Sequence, residues 1–208
     1  MPEHSYWDDI YASLLPEQVK YDLWLDRFAP QLEASREIPV IDLGCGAGND
    51  SLYLTERGYR VIACDASEEA LKRVRERVPE AQTRRLDLTD PLPFADGAAQ
   101  VVIADLSLHY FPWIVTEGIV REIGRVLRPG GCLLCRVNSV RDTEYVAGKG
   151  RELEPAYYEW EGKRKRFFDR PHLEELLKDW DVLSLEEGNM NRYQKPKVVW
   201  TAAAAKRD

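Results

Sequence analysis

Short apolar runs recur along the chain and alternate with stretches whose apolar residues return every three or four positions. Val40-Ile41-Asp42-Leu43, residues 59–64, 82–86, 101–104 and 132–137 read as strands. Between them, residues 51–57 up to Gly58, 67–78 up to Pro79, and 119–127 read as helices, while Arg128-Pro129-Gly130-Gly131 reads as a turn. The Pro-, Asp- and Gly-rich stretch before the fourth strand is too short for a helix. Regular alternation of strand and helix predicts an α/β fold with a doubly wound, mostly parallel sheet. Residues 171–179 start a further helix at Pro171, and two β-prone runs follow, 181–185 and 197–202, joined by the polar connection 191–196. Strands joined directly in this way pair antiparallel, which completes a seven-stranded sheet with an antiparallel edge pair.

Two segments stand outside this rhythm. Residues 16–29 place Pro16 at a helix start and Val19, Leu23 and Phe28 roughly on one side, so a helix is predicted that covers the sheet edge or the cleft, within an N-terminal cap of residues 1–36. Residues 139–169 form an aromatic and charged insertion in which two β-prone runs about a glycine-containing turn predict a hairpin. The insertion leaves the carboxyl end of the fifth strand, where open α/β sheets bind ligands, so it is read as a substrate lid; a hairpin that only shields the sheet is the plainer alternative.

Composition narrows the partners. A chain of 208 residues without a Ser/Gly-rich linker or repeat fits a single domain, residues 1–208. A net charge of -7 leaves no large basic footprint, so nucleic acid is not expected as a partner. Without an apolar run near 18 residues, or a basic and apolar leader, no membrane association is expected; the location expected is cytoplasmic, as a monomer or homodimer. The four cysteines then read as reduced thiols. Cys132 and Cys135 form a C-x-x-C on a strand, where residues three apart point to opposite faces and cannot share an ion, so no metal site is assigned.

The first strand runs into Gly44-Cys45-Gly46-Ala47-Gly48, with Asp42 two residues ahead of the first glycine. Glycines at alternate positions allow a tight turn with positive φ and let a ligand approach the backbone. A dinucleotide fingerprint needs its third glycine at position 49, which is Asn49, and Asp50 would oppose a phosphate at the following helix N-terminus. An ammonium or sulfonium suits that charge better. Asp65 ends the second strand about twenty residues on, placed for ribose hydroxyls, while Ser67 with Glu68 and Glu69 serves better as the helix cap.

Asp42 to Gly48, Asp65, Asp87-Leu88 ahead of Pro91-Leu92-Pro93-Phe94, and Leu127 to Gly131 together resemble the class I S-adenosylmethionine-dependent methyltransferases over about residues 38–138. The opening Tyr6-Trp7-Asp8-Asp9-Ile10-Tyr11 is similar to small-molecule members such as the tellurite-resistance and thiopurine types. The resemblance implies a Rossmann-like sheet and S-adenosyl-L-methionine as cofactor. It implies that Asp42 organises the turn and the methionine ammonium, that Gly44, Gly46 and Gly48 admit the cofactor, and that Asp65 and Ala66 meet the ribose. Asp87 and Leu88 would meet the adenine, Ala104 and Asp105 the methionine end, and Tyr11 would close over it. Where many relatives have an aromatic-Asp pair opening the fourth strand, this chain has Ala99-Gln100.

Methyl transfer is an in-line displacement that depends chiefly on positioning. The acceptor is expected to be a small molecule. His109, after the fourth strand, is the candidate base or orienter, with simple packing as the alternative. Arg136 and Asn138 end the fifth strand at the cleft and are candidates for an acidic or polar acceptor, or for bonds to the lid. Arg166, beside Phe167, is a candidate anion contact within an otherwise solvated basic run. A non-catalytic S-adenosylmethionine-binding module and a nicotinamide oxidoreductase are the rival functions.

Overall fold

The computed structural model describes residues 3–13, 21–193 and 195–207. Ten strands occur among them: β1 Val40–Leu43, β2 Val61–Asp65, β3 Gln82–Arg85, β4 Ala99–Asp105, β5 Leu127–Asn138, β6 Arg151–Glu154, β7 Tyr157–Trp160, β8 Lys163–Arg166, β9 Trp180–Met190 and β10 Lys197–Lys206. The α-helices are α1 Glu3–Ser13, α2 Ala29–Glu33, α3 Asn49–Glu56, α4 Glu68–Arg77, α5 Trp113–Val126 and α6 Arg170–Leu176. Seven strands form one sheet in the order β3-β2-β1-β4-β5-β10-β9, and β6-β7-β8 form a second. The first five of the large sheet run parallel, while β10 pairs antiparallel with both β5 and β9. This is the Rossmann-like, doubly wound sheet with an antiparallel edge pair. Chain order reverses between β1 and β4, and ligands bind at such a switch point, beyond the carboxyl ends of the strands.

Alternation along each strand divides the core into two layers. Val40, Val61, Ile103 and Leu134 pack with Leu54 of α3 and Leu71 and Val74 of α4, whereas Ile41, Val102 and Leu133 pack with Ile119, Ile123 and Val126 of α5 and Leu173 of α6. Cys132 belongs to the first layer and Cys135 to the second, on opposite faces of β5.

Several elements differ from their predicted extent. α5 begins six residues before the predicted start, because Trp113 and Thr116 continue the buried stripe of Ile119, Ile123 and Val126 and Pro112 supplies the break. The turn at 128–131 is an excursion within β5: the register jumps from Ala99 opposite Leu127 to Val101 opposite Cys132. β9 and β10 outrun their predictions because β9 lies at the sheet edge, where the polar Glu186, Glu187 and Asn189 still pair with β10 through the backbone. Part of the helix predicted over 16–29, including Pro16 and Val19, lies outside the described residues. Over the remainder the chain forms a 3-10 turn at Trp24–Phe28 followed by α2, and Leu23 is exposed. The connection predicted at 191–196 is present apart from Gln194, which is not described. The insertion forms three antiparallel strands where a two-stranded hairpin was predicted, since Arg151–Glu154 supplies an extra strand against β7.

Candidate functional site

The glycine turn joins β1 to α3, with Gly44, Gly46 and Gly48 at φ of 69°, 54° and 88°. A side chain at Gly44 would meet the Ser107 Cβ at 2.4 Å, and one at Gly46 would meet the Tyr11 hydroxyl at 2.7 Å. The amides of Gly44 and Cys45 both donate to the Cys64 carbonyl, at 2.8 and 2.9 Å, and hold the turn against the end of β2. Asp65 closes it from the same side: its carboxylate accepts from the Gly46 amide and the Ser67 amide, each at 2.9 Å. Burial raises the Asp65 carboxyl above its usual range despite these bonds. Ser67 caps α4 by accepting from the Ala70 amide, as its sequence position suggested.

α1 lies across the turn. Trp7 stacks on Tyr11 and meets Tyr110 edge-on, and Arg73 of α4 holds the helix end through the carbonyls of Tyr11 and Ala12. Tyr11 thus stands over Gly46. Asp87 and Leu88 follow β3, where the Leu86 amide donates to the Asp65 carbonyl and the Asp87 carboxylate accepts from Thr89. Ala66, whose carbonyl accepts from Arg85, lies between Asp65 and α4. Asp65, Ala66, Asp87 and Leu88 therefore share one rim of the sheet.

Carboxyls crowd the other side of the turn. Asp42 accepts from the Ser51 hydroxyl at 2.6 Å, and its carboxyl is pushed up to about 7 by burial, a Ser51 hydrogen bond opposing, with the charges of Asp105 and Asp65 adding to the rise. Asp50 accepts from the Trp24 indole at 3.0 Å and is raised by burial and by Asp105. Asp105, just beyond Ala104, behaves oppositely: burial works against its ionisation, but the Arg192 and Arg136 guanidiniums outweigh it and hold the carboxyl below its usual range. Arg136 donates to both Asp105 oxygens at 2.7 and 2.9 Å and to both Asp22 oxygens at 2.6 and 3.1 Å, and its guanidinium lies over the Trp24 ring. Arg192 reaches Asp105 at 2.7 Å, Asp22 at 2.9 Å and Asp50 at 3.6 Å. Four carboxyls thus lie with two guanidiniums, and a further cation would favour the ionised forms of Asp42 and Asp50, which burial holds back. A cavity of about 390 Å³ opens beside this cluster, walled by Asp22, Trp24, Arg136, Met190, Val199 and Thr201.

The remaining candidates separate. His109 is buried in a 3-10 turn after β4, its ring centroid 4.3 Å from that of Tyr110, and burial, then Lys197 and Lys165, depress its pKa well below the ordinary value. Asn138 ends β5, fully buried. Arg166 is committed elsewhere: it donates to the carbonyls of Phe111 and Pro155 and to the Glu154 carboxylate, between the rings of Trp113 and Tyr157. Together with Tyr157 donating to the Tyr110 carbonyl, and Glu154 accepting from the Trp113 amide, it fastens the β6–β8 sheet over residues 110–113. Arg136 and Arg166 therefore direct their donors to this chain's own carboxyl and carbonyl oxygens, so an anionic acceptor would have to displace those partners. Sequence reading missed Asp22, Trp24, Arg192 and Ser107. The first three lie far along the chain from their partners, Asp22 and Trp24 in the stretch read as a helix and Arg192 in the polar connection; Ser107, two residues past Asp105, was open to discovery from its place at the end of β4.

Residues 40–131 match the family described as methyltransferase domain. The 27-O-demethylrifamycin SV methyltransferase of Amycolatopsis mediterranei is 33% identical over 138 residues, 62% of this chain and 48% of that protein. The chain spans about half the length of the curated relatives it matches. In fold, it is similar to an S-adenosylmethionine-dependent methyltransferase of Anabaena variabilis, with a TM-score of 0.72 at 19% identity over 98% of this chain and 93% of that one. It is also similar to the 1,6-didemethyltoxoflavin-N1-methyltransferase of Burkholderia thailandensis, with a TM-score of 0.66 at 21% identity over 100% and 92%. That structure holds 1,6-didemethyltoxoflavin and S-adenosylhomocysteine.

Proposed function

We propose that this chain, which carries the class I S-adenosylmethionine-dependent methyltransferase domain, is an enzyme that methylates a small-molecule acceptor between the carboxyl ends of β1, β4 and β5 and the β6–β8 sheet. The observation that carries the reading is the glycine turn flanked by the buried Asp42 and the half-buried Asp65, with Gly44 and Gly46 so close to Ser107 and Tyr11 that a side chain at either would collide. Bound there, the cofactor supplies a methyl group on a positively charged sulfur.

Asp42, with Asp105 held ionised by its two arginines, gives the methionine end its negative surroundings. Asp65 exchanges the Gly46 amide for ribose hydroxyls, Ala66 lies beside it, and Asp87 with Leu88 borders the adenine. The Ala104 backbone and Tyr11 bound the methionine end from β4 and α1. On the acceptor side, His109 is kept neutral by burial with Nδ1 open, and it serves as the orienter or base that meets the acceptor's proton. Arg136 fixes Asp105 in place, and Asn138 faces the acceptor. The β6–β8 sheet serves as the lid, with Arg166 as its fastening. Among the described residues no helix is long and apolar enough to cross a membrane. The four free, buried thiols support a cytoplasmic location, and we expect a monomer or homodimer.

Calorimetry with S-adenosylmethionine and S-adenosylhomocysteine tests the cofactor. Binding is expected, and Asp65→Ala should weaken it at least tenfold, about 1.4 kcal/mol. Methyl-labelled cofactor offered with thiols, phenols, amines and lactams then tests transfer. Label on any acceptor excludes the non-catalytic binding module; binding without label on any of them supports it.

A further inference from the structure

Three buried polar side chains at the carboxyl ends of β4 and β5 stand apart from the ion-pair cluster. Ser107 Oγ, His109 Nδ1, and both Oδ1 and Nδ2 of Asn138 have no hydrogen-bond partner among the described residues. Their residues are 7%, 2% and 0% exposed. A bare buried polar group costs the fold its desolvation, and Asn138 carries two of them. Its place is well defined: it lies two residues past Arg136 on one face of β5 and directly opposite Val199 of β10, and both of those residues line the 390 Å³ cavity. The Leu108–Tyr110 turn packs against β5 and brings His109 to the same end of the sheet, while Ser107 stands against Gly44 of the cofactor turn.

We propose that Asn138 is the specificity-determining residue of the acceptor site, and that the acceptor is a neutral ring presenting a carbonyl next to an N–H, as in a lactam, imide or pyrimidinone. The inference rests on the methyltransferase reading and names its substrate class. A carboxamide with both ends open is complementary to a ligand edge that offers one acceptor and one donor side by side. A carboxylate or phosphate would satisfy Nδ2 but set its charge against Oδ1, and a phenyl or alkyl group would leave both atoms bare. Sites built to hydrogen-bond a polar group reject analogues lacking it strongly, because the buried partners are then stranded. Solvent does not reach Asn138, so the acceptor arrives when the covering β6–β8 sheet lifts from residues 110–113.

The test measures binding of uracil, carbostyril, N-methylcarbostyril, benzoate and catechol to the full chain, free and loaded with S-adenosylhomocysteine, by thermal shift and calorimetry. Uracil or carbostyril should bind at least tenfold more tightly than the other three. Asn138→Leu, which removes two stranded polar atoms, should melt at a higher temperature than the parent and lose that preference while keeping its affinity for S-adenosylhomocysteine within twofold. Benzoate or catechol binding as tightly as carbostyril, the same preference in Asn138→Leu, or no binding of either edge-bearing compound overturns the proposal. Failure of S-adenosylhomocysteine to bind sinks the proposed function instead, and the free-protein arm still decides on Asn138.

Discussion

Asp42 is the group through which cofactor binding should be felt as a proton. Its folded carboxyl is raised to about 7 by burial and neighbouring acids, so at pH 7 it is partly protonated. An ammonium or sulfonium nearby favours the ionised form and lowers that value, so binding releases a proton. Calorimetry at pH 7 in buffers of different ionisation enthalpy should show net release, growing as pH falls below about 7 and fading as it rises above; net uptake would count against Asp42 facing the cation. Gly46→Ala tests the turn itself. A left-handed alanine costs about 1–2 kcal/mol, and its Cβ would press on the Tyr11 hydroxyl at 2.7 Å, so denaturant titration should show that loss and calorimetry a weaker cofactor affinity. These residues were legible because their geometry is local: β1, three alternate glycines and the acid ending β2 form one contiguous unit. Arg192 was not, since it meets Asp22 across 170 positions and no spacing rule joins the two.

Among the elements, the β6–β8 sheet carries an unusual group. Lys165 on β8 has its pKa lowered to about 8 by burial, then by Lys197 and Lys163. A lysine whose folded pKa lies below its unfolded one contributes stability that is complete above about pH 10.4. That contribution is lost as pH falls through about 8, where the folded chain must take up the proton. Lys165→Met should therefore stabilise the protein by about 1–2 kcal/mol near pH 7, after allowance for partial exposure, and the gain should fade towards pH 10. Urea titrations across that range check it, and a pH-independent gain would assign the effect to packing alone. The insertion also shows where pattern reading stops. Its aromatic runs declared strands, but Arg151–Glu154 has three charged residues and Leu153 as its one apolar position, and it takes strand form by pairing with β7. Likewise the predicted helix gives way to a 3-10 turn because Trp24 is drawn to Asp50 and Asp22 to Arg136, contacts that outweigh helical periodicity.

Across the whole molecule, Arg136 is the point where distant segments are joined. It ties Asp22 before the first described core turn to Asp105 at the end of β4, and both acids also hold Arg192 from the β9–β10 connection. The Arg136 and Asp105 side chains are only 3% and 6% exposed, so these charges are tolerable only in each other's company. Burial opposes the charge on Arg136, and the two aspartates restore it. Arg136→Met should accordingly cost about 3–5 kcal/mol, because it leaves Asp105 buried with Arg192 as its remaining cation. Asp22→Asn should cost about 1 kcal/mol, since Asp22 is 29% exposed and solvent replaces part of what it loses. The informative variant is the double one. Arg136→Met with Asp105→Leu removes both charges and should recover most of the stability lost by Arg136→Met alone, while cofactor affinity, which needs the negative charge of Asp105, stays low. Denaturant titration and calorimetry on the same three variants separate these effects. If stability and affinity instead recover together, the cluster braces the fold alone, and the ionised Asp105 has no part in holding the cofactor.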